Sequence, residues 1–316
     1  MTRTLILLAS VTIGAVGFVE VVSIAAGQEK EKKSEPAKSE PAKAARLPAI
    51  PPGVIYESDV VYGRGGETPL HLDLARPETA SGPLPCILVI HGGGWRGGNY
   101  KQHVPQILDF AKQGFAAATV QYRLVPTARW PAQIEDVKCA VRYLRANARQ
   151  YGIDKNRIGA VGFSAGAHLA MLLGTMDPKD GLEGNGGHPE EPSKVQAVVA
   201  FFGPTDLSQP DFPPAVQPLL HDLLGTTRDE NLAAFKAASP VSYVDAGDAP
   251  VLIYHGTKDR LVPYQQAYLM TDALTKAGVG GRVELLLGAD HGWPNPELAR
   301  TVAGTIAFFQ QHLQKP

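Results

Sequence analysis

The sequence predicts an α/β fold with a mostly parallel central sheet, an N-terminal antiparallel hairpin and helices on both faces. Residues alternate between apolar and polar over 54–63 and 70–75, and the glycine-rich turn between these segments completes a hairpin pattern. Beyond the hairpin, short continuous apolar runs alternate with segments of helical periodicity. Because such alternation produces right-handed crossovers, the strands after the hairpin are expected to be parallel and covered on both sides.

Continuous apolar runs of four to eight residues are typical of strands buried on both faces of a sheet. Such runs, with one further strand at the end, cover residues 86–92, 115–122, 157–164, 195–203, 250–256 and 282–288. The predicted helices cover residues 104–113, 131–151, 165–175, 264–277 and 297–313.

Two polar segments rich in glycine and proline interrupt this rhythm, at residues 176–194 and 204–247. Long excursions in α/β domains are usually functional loops or lids. We expect both insertions to lie over the carboxyl ends of the strands.

The N-terminus predicts export. Arg3 precedes the apolar residues 5–18, and small residues follow at 23–27, so residues 1–26 are predicted to be a signal peptide. An uncleaved membrane anchor is the alternative. Residues 27–49, in which SEPAK is written twice in tandem, are predicted to be a disordered linker, since they hold too little apolar surface to fold. The folded domain, which contains both insertions, is then expected over 50–316.

Composition excludes several classes of function. The chain has 316 residues and a formal net charge of −1, so it lacks the basic excess expected of a nucleic-acid-binding protein. Cys86 and Cys139 lie in apolar surroundings, which favours two buried small side chains over a disulfide or a metal site.

The clearest chemical motif is GFSAG at residues 162–166. Ser164 follows a predicted buried strand and precedes a predicted helix, which is the pattern of a nucleophile elbow with its hydroxyl exposed above the sheet. Gly162 and Gly166 leave room for that sharp turn. The alternative is an ordinary glycine-rich turn in which Ser164 caps the helix.

A nucleophilic serine also needs donors for the developing oxyanion. The motif HGGGW at residues 91–95 follows the strand 86–92, and its glycines allow the backbone to approach an oxygen closely. The predicted oxyanion hole consists of the N–H groups of Gly93, Gly94 and Ala165, the last at the positive end of the helix after the elbow.

The base and its orienting acid are predicted at the ends of later strands. His291, in GADHGW, is the predicted base, and Asp259, in HGTKDRLVP, is the predicted acid. Asp206 is the main rival acid because it too follows a strand, although a role in tying down its loop is favoured. Asp290 is expected to form a turn.

The remaining candidates have packing roles as alternatives. His91 and His255 are expected to brace loops, and His168 is expected in the core or behind the site. Four aromatic residues are candidates to line a substrate pocket or, equally, to be ordinary packing residues: Trp95, Tyr122, Trp130 and Trp293.

Taken together, HGGGW, the segment 122–148, GIDKNRIGAVGFSAGAHLA, FGPTDL, HGTKDRLVP and HGW resemble the α/β-hydrolase superfamily. The resemblance is to bacterial esterases and lipases related to the hormone-sensitive-lipase group and to feruloyl and acetyl-xylan esterases. It implies ester hydrolysis without metal or organic cofactor. The expected substrates are small or short-chain esters: export would suit acetyl or feruloyl groups on a polysaccharide, and short-chain lipids or xenobiotic esters fit equally well. Ala167 departs from the second glycine found in many relatives.

Two other functions share this fold. A peptidase of the prolyl-oligopeptidase kind is disfavoured by the triple glycine after His91 and by the lack of propeller repeats. A non-catalytic binding protein would normally lack one of the three residues of a Ser-His-Asp triad, and candidates for all three are present here. The sequence does not indicate an oligomeric state.

Overall fold

The computed structural model describes residues 48–314, and its centre is an eight-stranded sheet. The strands are β1 (Val54–Gly65), β2 (Thr68–Pro77), β3 (Leu84–Ile90), β4 (Ala116–Val120), β5 (Ile153–Phe163), β6 (Ala197–Phe201), β7 (Val251–Gly256) and β8 (Gly281–Leu286). The predictions made for residues 1–47, a signal peptide and most of a linker, lie outside the described residues.

The strand order is β1-β2-β4-β3-β5-β6-β7-β8. Strand β2 runs antiparallel to both β1 and β4, whereas all the later neighbours are parallel. The predicted fold class is therefore confirmed. Because β3, β5, β6, β7 and β8 point the same way, the loops that leave their carboxyl ends meet at one edge of the sheet.

Helices cover both faces of this sheet. They are α1 (Val104–Lys112), α2 (Ala132–Ala146), α3 (Ala148–Tyr151), α4 (Ala165–Thr175), α5 (Gln217–Leu224), α6 (Leu232–Ala237), α7 (Gln265–Ala277) and α8 (Glu297–Phe309). Strand β3 shows the two-sided burial: Cys86 and Leu88 join the core under α2, α4 and α7, while Ile87 and Val89 join the core under α1 and α8. None of the helices within residues 48–314 combines the length and the apolar composition needed to cross a membrane.

The predicted helix over 131–151 is interrupted at Asn147. This residue leaves helical geometry, with φ −101° and ψ 17°, and separates α2 from α3. Its side-chain amide donates a hydrogen bond to the carbonyl of Tyr143 at 2.9 Å. Asparagine competes with the helical backbone for such hydrogen bonds, so a local side-chain contact decides a boundary that the apolar periodicity does not mark.

The insertion at 176–194 lies at the opposite edge of the sheet from the one expected. Helix α4 starts at the carboxyl end of β5 and must return the chain to the amino end of β6, because β5 and β6 are parallel. The insertion fills that return. Its Glu183 pairs with Lys138 at 2.8 Å and with Arg142 at 2.9 Å, both on α2.

The insertion at 204–247 leaves the carboxyl end of β6 and contains α5 and α6. Its apolar side chains, among them Leu220, Leu223 and Phe235, form a third cluster with Trp95 and Ala165. Trp95 follows the glycines of HGGGW and Ala165 follows Ser164. The insertion therefore packs beside the edge that carries these motifs.

Cys86 and Cys139 are buried and unpaired, as the sequence predicts. Burial raises the pKa of Cys86 to about 12 and that of Cys139 to about 11. Both thiols are therefore protonated at neutral pH and act as small apolar side chains.

Candidate active site

Three side chains from three strand ends form one hydrogen-bonded chain. Ser164 lies directly after β5, Asp259 follows β7 and His291 follows β8. The His291 Nε2 atom is 2.9 Å from the Ser164 hydroxyl, and the His291 Nδ1 atom is 2.7 Å from an Asp259 carboxylate oxygen. This is the arrangement in which an imidazole takes the proton of a serine while a carboxylate holds its tautomer.

Ser164 has a strained backbone at the turn from strand to helix. Its φ of 53° and ψ of −118° are unusual for a residue with a side chain. A Cβ on Gly162 would overlap the carbonyl of Gly166, and a Cβ on Gly166 would overlap the carbonyl of Ile90. The Ser164 hydroxyl makes no capping hydrogen bond to α4. The turn thus presents the hydroxyl to His291, and the alternative of a helix-capping serine does not describe it.

The Asp259 side chain is fully buried and held at both oxygens. One oxygen accepts hydrogen bonds from the N–H groups of Leu261 and Val262, each at 2.9 Å. The other faces His291 at 2.7 Å and His255 at 3.3 Å. Burial raises the pKa of this carboxyl, but the hydrogen bonds from His255 and His291 outweigh that effect and hold its pKa well below the ordinary value. Asp259 therefore stays ionised beside the imidazole.

Two other aspartates at this edge hold loops in place: Asp206 accepts hydrogen bonds within its own loop, and Asp290 accepts them from the loop that carries Asp259. Asp206 accepts hydrogen bonds from the backbone and hydroxyl of Ser208 and from the side chain of Gln209, at 2.6–3.0 Å. Asp290 accepts hydrogen bonds from Arg260, including one at 2.7 Å from its Nε atom. Of the three aspartates, Asp259 is the one hydrogen-bonded to the His291 ring.

The predicted oxyanion donors lie beside the elbow because β3 and β5 are neighbours, with Ile90 paired to Gly162. Gly93 and Gly94 have φ of 114° and 60°, which turns the loop in a way that glycine tolerates. Throughout residues 48–314, no backbone or side-chain acceptor is bonded to the N–H of either glycine. The N–H of Ala165, the first residue of α4, has no acceptor within the helix. These three donors are thus available to a bound oxygen.

Replacing Gly93, a predicted oxyanion donor, by alanine is expected to lower kcat by about a hundredfold, the loss typical of removing one such donor. A Cβ there would overlap the carbonyl of Gly97, so the loop must shift. Gly247→Ala is the matched control, because its φ of 98° is similarly unfavourable but nothing lies within 4 Å of the added carbon. Steady-state kinetics of both variants measure the loss of turnover, and their melting temperatures measure the loss of stability. Equal activity in the two variants would contradict the role of Gly93.

The aromatic candidates divide into two groups. Trp95 and Tyr122 are only 3% and 2% exposed, and Tyr122 stacks on His91 while its hydroxyl donates to the His91 carbonyl at 3.0 Å. Both are therefore packing residues at the HGGGW loop, and Tyr122 has almost no exposed surface that a substrate could contact. Trp130 and Trp293 are half-buried.

The three histidines expected to have structural roles are held by backbone carbonyl groups. His91 hydrogen-bonds the Gly92 carbonyl at 2.7 Å, His255 that of Val262 at 2.9 Å and His168 that of Ala238 at 2.6 Å. Burial lowers the pKa of both His91 and His168 to about 4, so both rings are neutral at pH 7. Each therefore has a structural contact that accounts for its position.

One residue at this edge was not singled out from the sequence. Phe202, just after β6, has a positive φ of 44°, and its ring centroid lies 4.5 Å from that of His291. No local sequence signal marks a phenylalanine for such a conformation. Its position depends on the arrival of His291 from a strand about 80 residues later in the chain.

Metal binding needs several suitable side chains close together. Within residues 48–314, no group of three or more histidine, cysteine, aspartate or glutamate side chains is placed to hold a metal ion.

Comparison with known proteins identifies a related family. Residues 72–274 match the family described as BD-FAE. Esterase LipQ of Mycobacterium tuberculosis is 35% identical over 226 residues, which cover 70% of this chain and 53% of LipQ. The chain thus spans about half the length of that curated relative.

Two solved structures are similar over nearly their whole length. A truncated carbohydrate esterase from gut microbiota has a TM-score of 0.73 and 29% identity, covering 83% of this chain and 97% of that one. An acetyl ester-xyloside bifunctional hydrolase from Caldicellulosiruptor lactoaceticus has a TM-score of 0.67 and 28% identity, covering 78% of this chain and 89% of that one.

Proposed function

This chain belongs to the BD-FAE family, and from that membership we propose that it is a serine carboxylic-ester hydrolase. The observation that carries the proposal is the hydrogen-bonded chain from Asp259 through His291 to Ser164, with contacts of 2.7 and 2.9 Å. The unpartnered N–H groups of Gly93 and Gly94 beside Ser164 support it further. The relatives named as esterases agree with the same chemistry.

In the first half of the reaction, His291 removes the proton of Ser164 as the serine oxygen attacks the ester carbonyl. Asp259 accepts a hydrogen bond from the Nδ1–H group of His291, so Nε2 carries no proton and is free to act as the base. The N–H groups of Gly93, Gly94 and Ala165 stabilise the oxyanion. The imidazolium then gives its proton to the departing alcohol, and an acyl-enzyme remains on Ser164.

In the second half, water takes the place of the alcohol. His291 removes a proton from this water as it attacks the acyl-enzyme carbonyl, and the same amides stabilise the second oxyanion. The proton returns to the Ser164 oxygen as the acid leaves. No step requires a cofactor, because all four proton transfers use the same imidazole.

We assign small or short-chain esters as substrates, with acetyl or feruloyl groups on a polysaccharide as the natural candidates. The carbohydrate esterase and the acetyl ester-xyloside hydrolase, with their high coverage, support this class. The insertion at 204–247 packs beside the oxyanion loop, where Leu219 would meet any side chain added to Gly94. The substrate therefore binds next to this insertion.

A fluorophosphonate probe followed by peptide mass spectrometry tests the proposal. Covalent labelling is expected at Ser164, because the probe reacts with a serine activated by a base. Hydrolysis is then followed with p-nitrophenyl esters of rising chain length, acetylated xylan and methyl ferulate, where the shortest esters are expected to react fastest. A protein that takes up no label and hydrolyses none of these esters is not an esterase.

The proposal includes export from the cytoplasm, on the basis of the apolar residues 5–18 and the small residues 23–27. A polysaccharide substrate outside the cell would agree with that location. N-terminal sequencing of the exported protein checks it, with a mature N-terminus expected near residue 26. An N-terminus at Met1 would contradict cleavage.

A further inference from the structure

We propose that Phe202 contacts the alcohol portion of the ester and selects alcohols with a flat apolar face, such as a pyranose ring or a phenyl ring. This inference rests on the proposed esterase function and adds a determinant of specificity to it. It follows from the backbone of Phe202, the contacts of its ring and the direction in which the alcohol must leave.

The backbone of Phe202 is held in a strained conformation. Its φ of 44° lies in the left-handed region, which is uncommon for a bulky residue. Its N–H donates a hydrogen bond to the carbonyl of Tyr254 on β7 at 2.7 Å, which anchors the turn. Strain of this kind clusters at functional sites, because the surrounding structure must maintain it. Here it directs the Phe202 ring towards His291.

The ring of Phe202 contacts the His291 imidazole and packs against the core. Its centroid is 4.5 Å from that of His291 and 5.5 Å from that of Trp293, which it meets edge-on at 89°. Phe202 is partly exposed, whereas the neighbouring Phe201 is buried. Phe202 thus keeps some exposure at the edge of the sheet that carries His291.

The geometry of ester cleavage gives the alcohol a defined side. The carbonyl oxygen of the substrate points to Gly93 and Gly94, which follow β3 on one side of Ser164. The alcohol oxygen must come within hydrogen-bond reach of His291 Nε2, which protonates it. Because β6 lies on the other side of β5 from β3, the group attached to that oxygen is directed towards Phe202.

An aromatic ring at that place favours a particular kind of alcohol. Flat apolar groups pack against the face or edge of a phenyl ring better than a small alkyl chain does, because they bury more area. The apolar faces of pyranose sugars and of phenols share this property. The two sources of a flat alcohol are separated below by testing one ester of each.

The experiment compares Phe202→Gly with the unaltered protein on ethyl acetate, an acetylated methyl xylopyranoside and phenyl acetate. Glycine removes the ring and accepts the positive φ without strain. We expect kcat/KM to fall about tenfold for the two ring-bearing esters and less than about threefold for ethyl acetate. Hydrolysis of the acetyl-enzyme, measured after the burst of phenol release, is expected to be unchanged because the alcohol has already left.

A purely structural role for Phe202 gives the opposite pattern. Misplacement of His291 would slow acylation and deacylation together, and it would affect ethyl acetate more than phenyl acetate, since ethanol needs protonation more than phenol does. That result, or an equal loss on all three esters, overturns the inference. A loss confined to phenyl acetate or to the xylopyranoside identifies which flat alcohol the ring accepts.

Two further variants serve as controls for this comparison. Phe202→Leu keeps an apolar side chain and is expected to show a smaller loss with the same order of esters, so a poorly folded glycine variant does not end the test. Tyr268→Ala removes an aromatic ring that is 48% exposed on α7, and it is expected to leave kcat/KM unchanged for all three esters. If the unaltered protein hydrolyses none of the esters, the proposed function fails and this inference fails with it.

Discussion

Replacement of Ser164 by alanine is expected to lower kcat about a millionfold, to the level left by the oxyanion donors alone. The variant retains Asp259 and His291 but has no oxygen to attack the ester. The fold is expected to persist, because the Ser164 hydroxyl bonds to His291 and does not cap α4. Turnover of p-nitrophenyl acetate and circular dichroism measure the two properties separately.

Ser193→Ala is the matched control for this variant. The Ser193 hydroxyl belongs to a buried residue and likewise makes one side-chain hydrogen bond, to Glu183 at 3.0 Å, in the insertion at the opposite edge of the sheet. Its loss is expected to leave turnover unchanged. Full activity in Ser164→Ala, or an equal loss in both variants, would refute the assignment of the nucleophile.

Replacement of Asp259 by asparagine is expected to lower kcat about ten-thousandfold, with little change in KM. The backbone N–H groups of Leu261 and Val262 both donate to one oxygen of Asp259, so the asparagine oxygen takes that position and its NH₂ group faces His291. The Nδ1 atom of His291 must then accept a hydrogen bond. The proton consequently moves to Nε2, which can no longer take the proton of Ser164.

Asp206→Asn distinguishes the two candidate acids. Asp206 accepts two hydrogen bonds from Ser208 on one oxygen and one from Gln209 on the other, and asparagine can keep the two from Ser208. We therefore expect a loss of about 1 kcal/mol in stability and near-normal turnover. Kinetics and urea unfolding of both variants provide the comparison. Near-normal turnover in Asp259→Asn with a large loss in Asp206→Asn would reverse the assignment.

The positions of the strands were accessible from local patterns. A strand buried on both faces must be continuously apolar, and β3, β6 and β7 are buried over their entire length. The polar residues that follow such runs therefore stand at the carboxyl edge of a parallel sheet. This reasoning places Ser164, Asp259 and His291 at one edge without any knowledge of their contacts.

Local patterns were less informative about the edge of the sheet at which a loop lies. The insertion at 176–194 has the composition expected of a loop near a site, but α4 carries it to the far edge, where Glu183 pairs with α2. The position of an insertion depends on which end of a strand or helix it leaves. Composition alone does not contain that information.

By itself, the sequence determined the α/β class, the succession of strands and helices along the chain and the strand ends that carry the polar candidates. It did so because burial imposes a period on neighbouring residues. Only the tertiary structure decided that Asp259, and not Asp206, contacts His291, that Tyr122 packs behind the loop and that Phe202 meets the imidazole. Those outcomes depend on the register of strands that are distant in the chain and on the path of the loops between them. Contacts of this kind are made between segments whose local patterns are independent of one another.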